Sequence, residues 1–186
     1  NAIKEAGEAD SLFVAAAGSA ANNSDIFPSY PASYDLENII AVASTDRNDD
    51  ISSFSNYGKK TVDLGAPGSA IYSTIPNDGY ATYSGTSMAY PHVAGVAALA
   101  LAEDPNLTYA EVKERILDNV DPNEDLSNKT VSGGRLNAEK ALGSLGVPGT
   151  HTVELKSGES KTDINFGNQE LAPPFEIIED KGSASF

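Results

Sequence analysis

The chain has 186 residues, and its 12 Lys and Arg against 27 Asp and Glu give a formal net charge of −15 at pH 7. This length suffices for one domain with a hydrophobic core and a short appendage. The acidic charge argues against nucleic acids and anionic membranes as partners, because both attract basic faces. No run of about 18 apolar residues occurs, so no membrane span is predicted. The absence of cysteine excludes disulfides and cysteine-based zinc sites.

The first half of the chain alternates short apolar runs with polar loops. Residues 1–9 predict a short helix. The run from Leu12 to Ala17 is continuous and apolar, which is typical of a strand buried in a parallel sheet. A loop rich in Asn, Ser and Pro follows over residues 19–35. Strands are predicted over residues 12–17, 39–43, 61–64, 70–74 and 80–83.

From residue 87 onward the pattern changes to helices. Residues 87–103 are small and apolar nearly all round, so they predict a helix that is buried on every side. Thr108 followed by Glu111 fits a capping box, which starts a helix extending to about Asn119. A last short helix is predicted over residues 137–145. Helices and buried strands in this order predict an α/β domain with a mainly parallel sheet.

The last 41 residues differ in texture, so we place a domain boundary between residues 1–145 and residues 146–186. Apolar and polar residues alternate over 150–155 and again over 163–166, which predicts a hairpin-like pair of strands. Two strands alone are marginally stable in water. We therefore interpret residues 146–186 as a short β-rich tail that links to a larger β module.

A serine that could act as a nucleophile lies within Gly-Thr-Ser-Met-Ala at residues 85–89. Gly85 permits a tight turn, and Ser87 would then stand at a helix N-terminus, where free amides favour a developing negative charge. A second interpretation is structural, because Thr86 and Ser87 belong to the residue types that most often cap helices. Spacing alone favours the structural interpretation.

The serine segment and several others resemble, in order and spacing, the subtilisin-like serine proteases (subtilases, peptidase S8 family). The resemblance covers residues 1–145 and implies the C-terminal half of a three-layer α/β catalytic domain. The resemblance implies that no cofactor is required. The segments that carry it are FVAAAG (13–18), YPA (30–32), the strand 39–45, SSFSNYG (52–58), LGAPG (64–68) and GGRLN (133–137).

The resemblance implies peptide-bond hydrolysis through an acyl-enzyme on Ser87. The oxyanion-hole position falls on Ser19, where the family usually has asparagine. The family's catalytic Asp and His precede the serine, so both would lie upstream in the missing N-terminal half of the domain, and this chain alone is expected to be inactive. His92, five residues past Ser87, would be rotated away from it and is expected to be a packed structural residue. His151 is expected at the surface of the tail.

Substrate and cation sites are also implied. The wall of the pocket for the side chain before the scissile bond would be formed by Ala15, Ala16, Ala17 and Gly18, whose small size leaves room for a bulky apolar group. Calcium, as a structural ion, is implied at the carbonyl of Pro31 and the carboxylate of Asp46. Asp49 and Asp50 lie close to Asp46, and calcium prefers such oxygen ligands. The residues by themselves favour a plain polar turn at these aspartates.

Two other functions are alternatives to a protease. The first is a catalytically impaired subtilase-like domain that serves as a binding or structural part of a bacterial surface protein, motivated by Ser19 and the missing base. The second is an α/β-hydrolase esterase, which the sequence disfavours because Ala89 replaces the second glycine of Gly-x-Ser-x-Gly. The resemblance implies a secreted or cell-surface, bacterial protein acting on peptide or protein substrates. Parallel strands without their neighbours predict poor solubility for the chain in isolation.

Overall fold

A computed structural model describes residues 2–143, and its centre is a five-stranded, mainly parallel sheet. The strand order is β1-β2-β3-β7-β6, with only β6 antiparallel to its neighbour. This confirms the predicted α/β class. The sheet strands are β1 (Phe13–Ala16), β2 (Ile39–Thr45), β3 (Leu64–Pro67), β6 (Asp121–Pro122) and β7 (Gly134–Arg135), and a separate antiparallel ribbon joins β4 (Ile71–Ile75) to β5 (Gly79–Tyr83). The helices are α1 (Ala2–Glu8), α2 (Thr86–Glu103), α3 (Tyr109–Leu117) and α4 (Ala138–Ala141).

The two faces of β2 belong to two different packing clusters, because successive side chains of a strand point to opposite faces. All seven residues of β2 are buried. Ile40 and Val42 pack in the cluster that contains Val93 of α2. Ile39 packs on the other face, in the cluster that Ile3 of α1 joins. Helices therefore cover both faces, and the described residues form three layers.

Two of the predicted strands are corrected by the structure. The strand predicted over 61–64 instead begins at Leu64 and continues to Pro67. Thr61 is held in a turn, because its amide and its hydroxyl both donate to the carboxylate of Asp25. The strand predicted over 70–74 corresponds to β4 of the β4–β5 ribbon. It is not buried, because Tyr72, Ser73 and Thr74 are exposed.

The composition of α2 predicted a helix that is buried on every side, but the structure shows it buried on one side only. Residues such as Ala89, Val93 and Ala100 are buried on one side, against the sheet. On the other side Leu99 is 54% exposed and Leu101 is 40% exposed. Within residues 2–143 the sheet reaches only one side of the helix, which explains the difference.

Helix α3 begins at the predicted capping box. The Thr108 side chain accepts from the Glu111 amide, and the Glu111 carboxylate accepts from the Thr108 amide at 2.8 Å. That bond lowers the pKa of Glu111. Helix α4 is shorter than predicted and is capped by Asn137. The strands predicted over 150–155 and 163–166 lie outside the described residues.

Candidate active site

Ser87 is the second residue of α2 and its side chain is exposed, whereas Gly85 and Thr86 beside it are buried. The helix N-cap is Gly85, and no side chain of the cap closes the first turn. The expectation that Thr86 or Ser87 caps the helix is therefore wrong. The chain arrives from β5 in an extended conformation at Gly85, so the turn places Ser87 at the mouth of the helix.

The loop that follows β1 docks on this helix end. The Gly18 amide donates to the Thr86 hydroxyl at 3.1 Å, and the Thr86 amide donates to the Ser19 hydroxyl at 3.1 Å. The two hydroxyl oxygens lie 3.2 Å apart. Ser19, the predicted oxyanion position, thus caps α2 from a segment 67 residues earlier in the chain, and it bonds to Thr86, directly before the predicted nucleophile.

This docking leaves the backbone amide of Ser87 available to a ligand. The first amides of a helix have no partner within the helix. The Thr86 amide is taken by Ser19, and the Met88 amide donates to the Gly85 carbonyl at 3.0 Å. The Ser87 amide lies between them. Ser87 N and Ser19 Oγ are each 3.7 Å from the point where a Cβ would stand on Gly85. The Ser87 amide and the Ser19 hydroxyl therefore both lie beside Gly85, at a helix N-terminus, which is the kind of place that favours an anion.

The predicted pocket wall is only partly accessible. Ala15 and Ala17 are buried in two packing clusters, so their side chains do not line a pocket. Ala16 and Gly18 are half-buried. Side chains alternate along a strand, so Ala16 and Gly18 lie on one face, and Ala15 and Ala17 lie on the opposite face. The continuous apolar run in the sequence could not reveal this difference.

His92 is exposed, which corrects the prediction of a packed residue. Its Nδ1 lies 2.9 Å from the Met88 carbonyl, one turn earlier in α2. His92 is the single histidine among residues 2–143, because the second, His151, lies outside the described range. The described part of the chain therefore offers Ser87 no histidine base.

Residues 1–147 match the sequence model described as Subtilase family. The chain belongs to the subtilase family. It is 57% identical to thermitase from Thermoactinomyces vulgaris over 102 residues, which cover 55% of this chain and 34% of that protein. It is 36% identical to the cell wall-associated protease of Bacillus subtilis (strain 168) over 154 residues, which cover 82% of this chain and 16% of that protein.

Among solved structures, this subtilase chain is similar to the prenylagaramide maturation protease PagA, with a TM-score of 0.65 and 30% identity. The match covers 76% of this chain and 53% of that one. The curated relatives are longer, since the chain spans between 10% and 41% of the length of those it matches. The sheet and helix positions described above therefore correspond to one part of a larger subtilase structure.

Asp46 and Pro31 are not brought together in this subtilase chain. Asp46 follows the carboxyl end of β2, whereas Ala32, next to Pro31, packs against Ile39 at the amino end. A seven-residue strand separates these ends by about 20 Å, so one calcium ion cannot bind both residues. The Asp46 carboxylate accepts from the Asn48 amide at 2.8 Å, as in a polar turn.

The other acidic residues near Asp46 do not complete a cation site either. Asp49 Oδ1 lies 2.9 Å from Nε of Arg135. Among residues 2–143, no group of three or more acidic or histidine side chains is gathered closely enough to hold a metal ion. The donor set predicted from the sequence does not fit calcium as a single site. Calcium binding by the protein stays a prediction, which calorimetric titration with Ca²⁺ tests.

A polar cavity of about 340 Å³ lies on the sheet face opposite α2, and it is separate from Ser87. Asp63 and Lys113 line it. Burial raises the pKa of Asp63, although the Lys113 ammonium and the Ala41 amide partly oppose this. Lys113 Nζ donates to the Glu37 carbonyl at 3.1 Å and to the Ile39 carbonyl at 2.5 Å. These bonds tie α3 to the start of β2.

Within residues 2–143, no helix is both long enough and apolar enough to cross a membrane.

Proposed function

We propose that the whole protein containing this chain is a serine endopeptidase, and that the chain supplies its nucleophile and part of its oxyanion hole. The observation that supports this most is the exposed Ser87 at the N-terminus of α2, docked against the Ser19 loop. Membership of the subtilase family supports the reaction class.

In the proposed reaction Ser87 Oγ attacks the carbonyl carbon of the scissile peptide bond. The serine proton passes to a base, and the carbonyl oxygen becomes negatively charged in the tetrahedral intermediate. Collapse expels the amine, which takes the proton back from the base, and leaves an acyl-enzyme that water hydrolyses. The base and its orienting carboxylate would come from polypeptide outside residues 2–143, because His92 faces the Met88 carbonyl.

Two donors are proposed for the oxyanion, namely the Ser87 amide and the Ser19 hydroxyl. A hydroxyl has one hydrogen and two acceptor sites. Ser19 Oγ already accepts from the Thr86 amide, and the Thr86 hydroxyl is placed to donate to it as well. In that arrangement both acceptor sites of Ser19 are filled, and its own hydrogen is free to donate to a ligand. Ser19 would then replace the asparagine amide usual in the family.

The test uses a fluorophosphonate probe and a chromogenic peptide anilide, applied to the whole protein. We expect labelling of wild type and its loss in Ser87→Ala, together with a fall in kcat of about 10⁴-fold or more, as for other nucleophile deletions. Ser84→Ala is the matched control. Its exposed hydroxyl, three residues earlier, accepts from the Ala70 amide at 2.8 Å, so its loss should leave labelling unchanged.

The outcome separates the two functions proposed from the sequence. Wild-type protein that neither binds the probe nor cleaves peptides would contradict the enzyme and support the impaired binding domain. Half-buried Ala16 and Gly18 support a pocket for a bulky apolar residue before the scissile bond, so peptides with Phe or Leu there should be cleaved fastest. Secretion or cell-surface attachment, supported by the cell wall-associated relative, is tested by fractionating the producing cells.

A further inference from the structure

The buried side chain of Asn56 holds the loop that carries Ser19. Asn56 is 3% exposed. Its Oδ1 accepts from the Ala20 amide at 3.0 Å and from the Asn22 amide at 3.1 Å. Its Nδ2 donates to the Ala17 carbonyl at 3.0 Å. One amide side chain therefore bonds the backbone on both sides of Ser19.

The backbone of Asn56 adds a fourth bond to the same loop. Its amide donates to the Gly18 carbonyl at 2.8 Å. Gly18 has a φ of +109°, and a Cβ built on it would lie 2.4 Å from Asn56 Nδ2. The amide thus occupies the space that any other residue at position 18 would need. The contact fixes the conformation of the turn directly before Ser19.

The loop that carries Ser19 is therefore hydrogen-bonded from two sides. Asn56 bonds residues 17, 18, 20 and 22, whereas Thr86 of α2 bonds Gly18 and Ser19. Ser19 itself, between these bonds, is hydrogen-bonded to the helix through its Oγ. Its donor direction therefore depends on where the backbone at residues 17–22 is held. The sequence motif SSFSNYG marked residues 52–58, but it did not indicate this role.

We propose that Asn56 is a positioning residue for the oxyanion hole, acting through the backbone of residues 17–22 to aim the Ser19 hydroxyl. The inference rests on the proposed endopeptidase function. A hydroxyl aimed at a developing charge must be held closely, because a shift of about 1 Å in a catalytic group can cost about 10²-fold in rate. A positioning role predicts a loss in kcat with little change in KM, since the loop acts on the transition state more than on substrate binding.

Asn38→Ala provides a control of matched stability loss. Asn38 is also 3% exposed, and its Nδ2 donates to the Ile3 carbonyl at 2.8 Å and to the Ser11 carbonyl at 3.1 Å. It also packs against a glycine, since a Cβ on Gly7 would lie 2.7 Å from its Cγ. It precedes the amino end of β2, whereas the Ser19 loop follows the carboxyl end of β1, parallel to it. Its loss should disturb the fold similarly but leave the oxyanion loop in place.

The experiment compares Asn56→Ala, Asn38→Ala and wild type in the whole protein. We expect Asn56→Ala to lower kcat by about 10- to 100-fold with KM changed less than about threefold. Asn38→Ala should keep kcat within about threefold at a temperature where both variants are folded. Equal losses of kcat in both variants, or an unchanged kcat in Asn56→Ala, would overturn the inference.

Hydrogen exchange of the Ala20 and Asn22 amides separates failure of this inference from failure of the proposed function. Exchange should be faster in Asn56→Ala and unchanged in Asn38→Ala, because only Asn56 accepts from these amides. Protein with no turnover and no labelling of Ser87 would contradict the proposed function. Faster exchange in that sample would still support Asn56 as the residue that holds the loop, and unchanged exchange would contradict that too.

Discussion

The hydroxyl oxygen of Ser19 accepts a hydrogen bond from the amide of Thr86 at 3.1 Å. Thr86 directly precedes Ser87, so the loop after β1 and the helix that carries the serine behave as one unit. An acceptor at this place satisfies one of the amides that a helix N-terminus leaves unpaired. The same atom is thus both the helix cap and the proposed oxyanion donor.

Removing that hydroxyl should affect stability and rate together. Ser19→Ala is expected to lower the free energy of unfolding by about 1 kcal/mol through loss of the cap. It should also lower kcat by about 10²-fold through loss of the oxyanion donor. Denaturant unfolding and steady-state kinetics on the whole protein measure the two effects. Thr108→Ala is the control, because the Thr108 hydroxyl likewise accepts one amide, from Glu111 at 3.3 Å, at the start of a different helix, α3.

Retention of wild-type kcat in Ser19→Ala, with the expected loss of stability, would show that Ser19 only caps the helix. Ser19→Thr keeps the hydroxyl and should retain most of the activity. This pair of variants therefore distinguishes the structural role of the side chain from its proposed chemical role.

Two glycine substitutions should change stability in opposite directions. Gly18→Ala would force a Cβ to 2.4 Å from Asn56 Nδ2 at a φ of +109°. We expect it to lower the free energy of unfolding by about 1–3 kcal/mol. Gly95→Ala lies in the middle of α2 with nothing within 4 Å of the new Cβ. It should raise stability by about 0.5–1 kcal/mol, since alanine favours helix more than glycine does. Thermal unfolding of both variants checks the signs, and a destabilised Gly95→Ala would contradict the open environment of that residue.

The partly buried carboxylate of Asp63 should make stability fall as pH rises. Its folded-state pKa is raised above the ordinary value of 3.8, chiefly by burial. Between that value and the raised one, the folded protein binds more protons than the unfolded chain, so the free energy of unfolding decreases with increasing pH. Asp63→Asn removes this dependence. The unfolding free energy of the variant minus that of wild type should therefore grow as pH rises from about 3.8 to the raised pKa of the folded state, measured by urea unfolding.

Asp121 should show the opposite dependence and serves as the comparison. Bonds from Lys140 and Asn137 hold the pKa of Asp121 below 3.8. Its contribution to stability is present above pH 3.8 and is lost as pH falls through the lowered pKa. The free energy of wild type minus that of Asp121→Asn should accordingly decrease on acidification. Parallel slopes for the Asp63 and Asp121 variants would contradict the assigned environments.

The helix cap at Thr108 offers a test of a feature that the sequence alone predicted. Thr108→Ala removes the side chain that accepts from the Glu111 amide. We expect a loss of about 1 kcal/mol in the free energy of unfolding, with kcat unchanged, because α3 lies away from Ser87 in the chain and caps act locally. A fall in kcat in this variant would indicate that the cap of α3 is coupled to the site at Ser87, although no hydrogen bond described above joins them.

Local patterns in the sequence identified several elements correctly. The buried strand β2, the capping box of α3 and the apolar helix after Gly85 depend on interactions within a few residues, and such interactions repeat wherever the pattern occurs. The motif around Ser87 predicted the position of the exposed serine for the same reason. The start of β3 at Leu64 was missed, because the carboxylate of Asp25, which holds Thr61 in a turn, comes from 36 residues earlier in the chain.

By itself the sequence determined the α/β class, the succession of strands and helices, and the serine at the start of α2. Only the tertiary structure decided which oxygen caps that helix, which side of α2 is covered, and that Asp46 and Pro31 lie at opposite ends of β2. It also revealed the hydrogen bonds by which the Asn56 side chain holds the Ser19 loop. The physical reason is the range of the forces: periodicity and capping act between near neighbours in sequence, whereas these contacts join segments 30 to 70 residues apart that meet only when the sheet has formed.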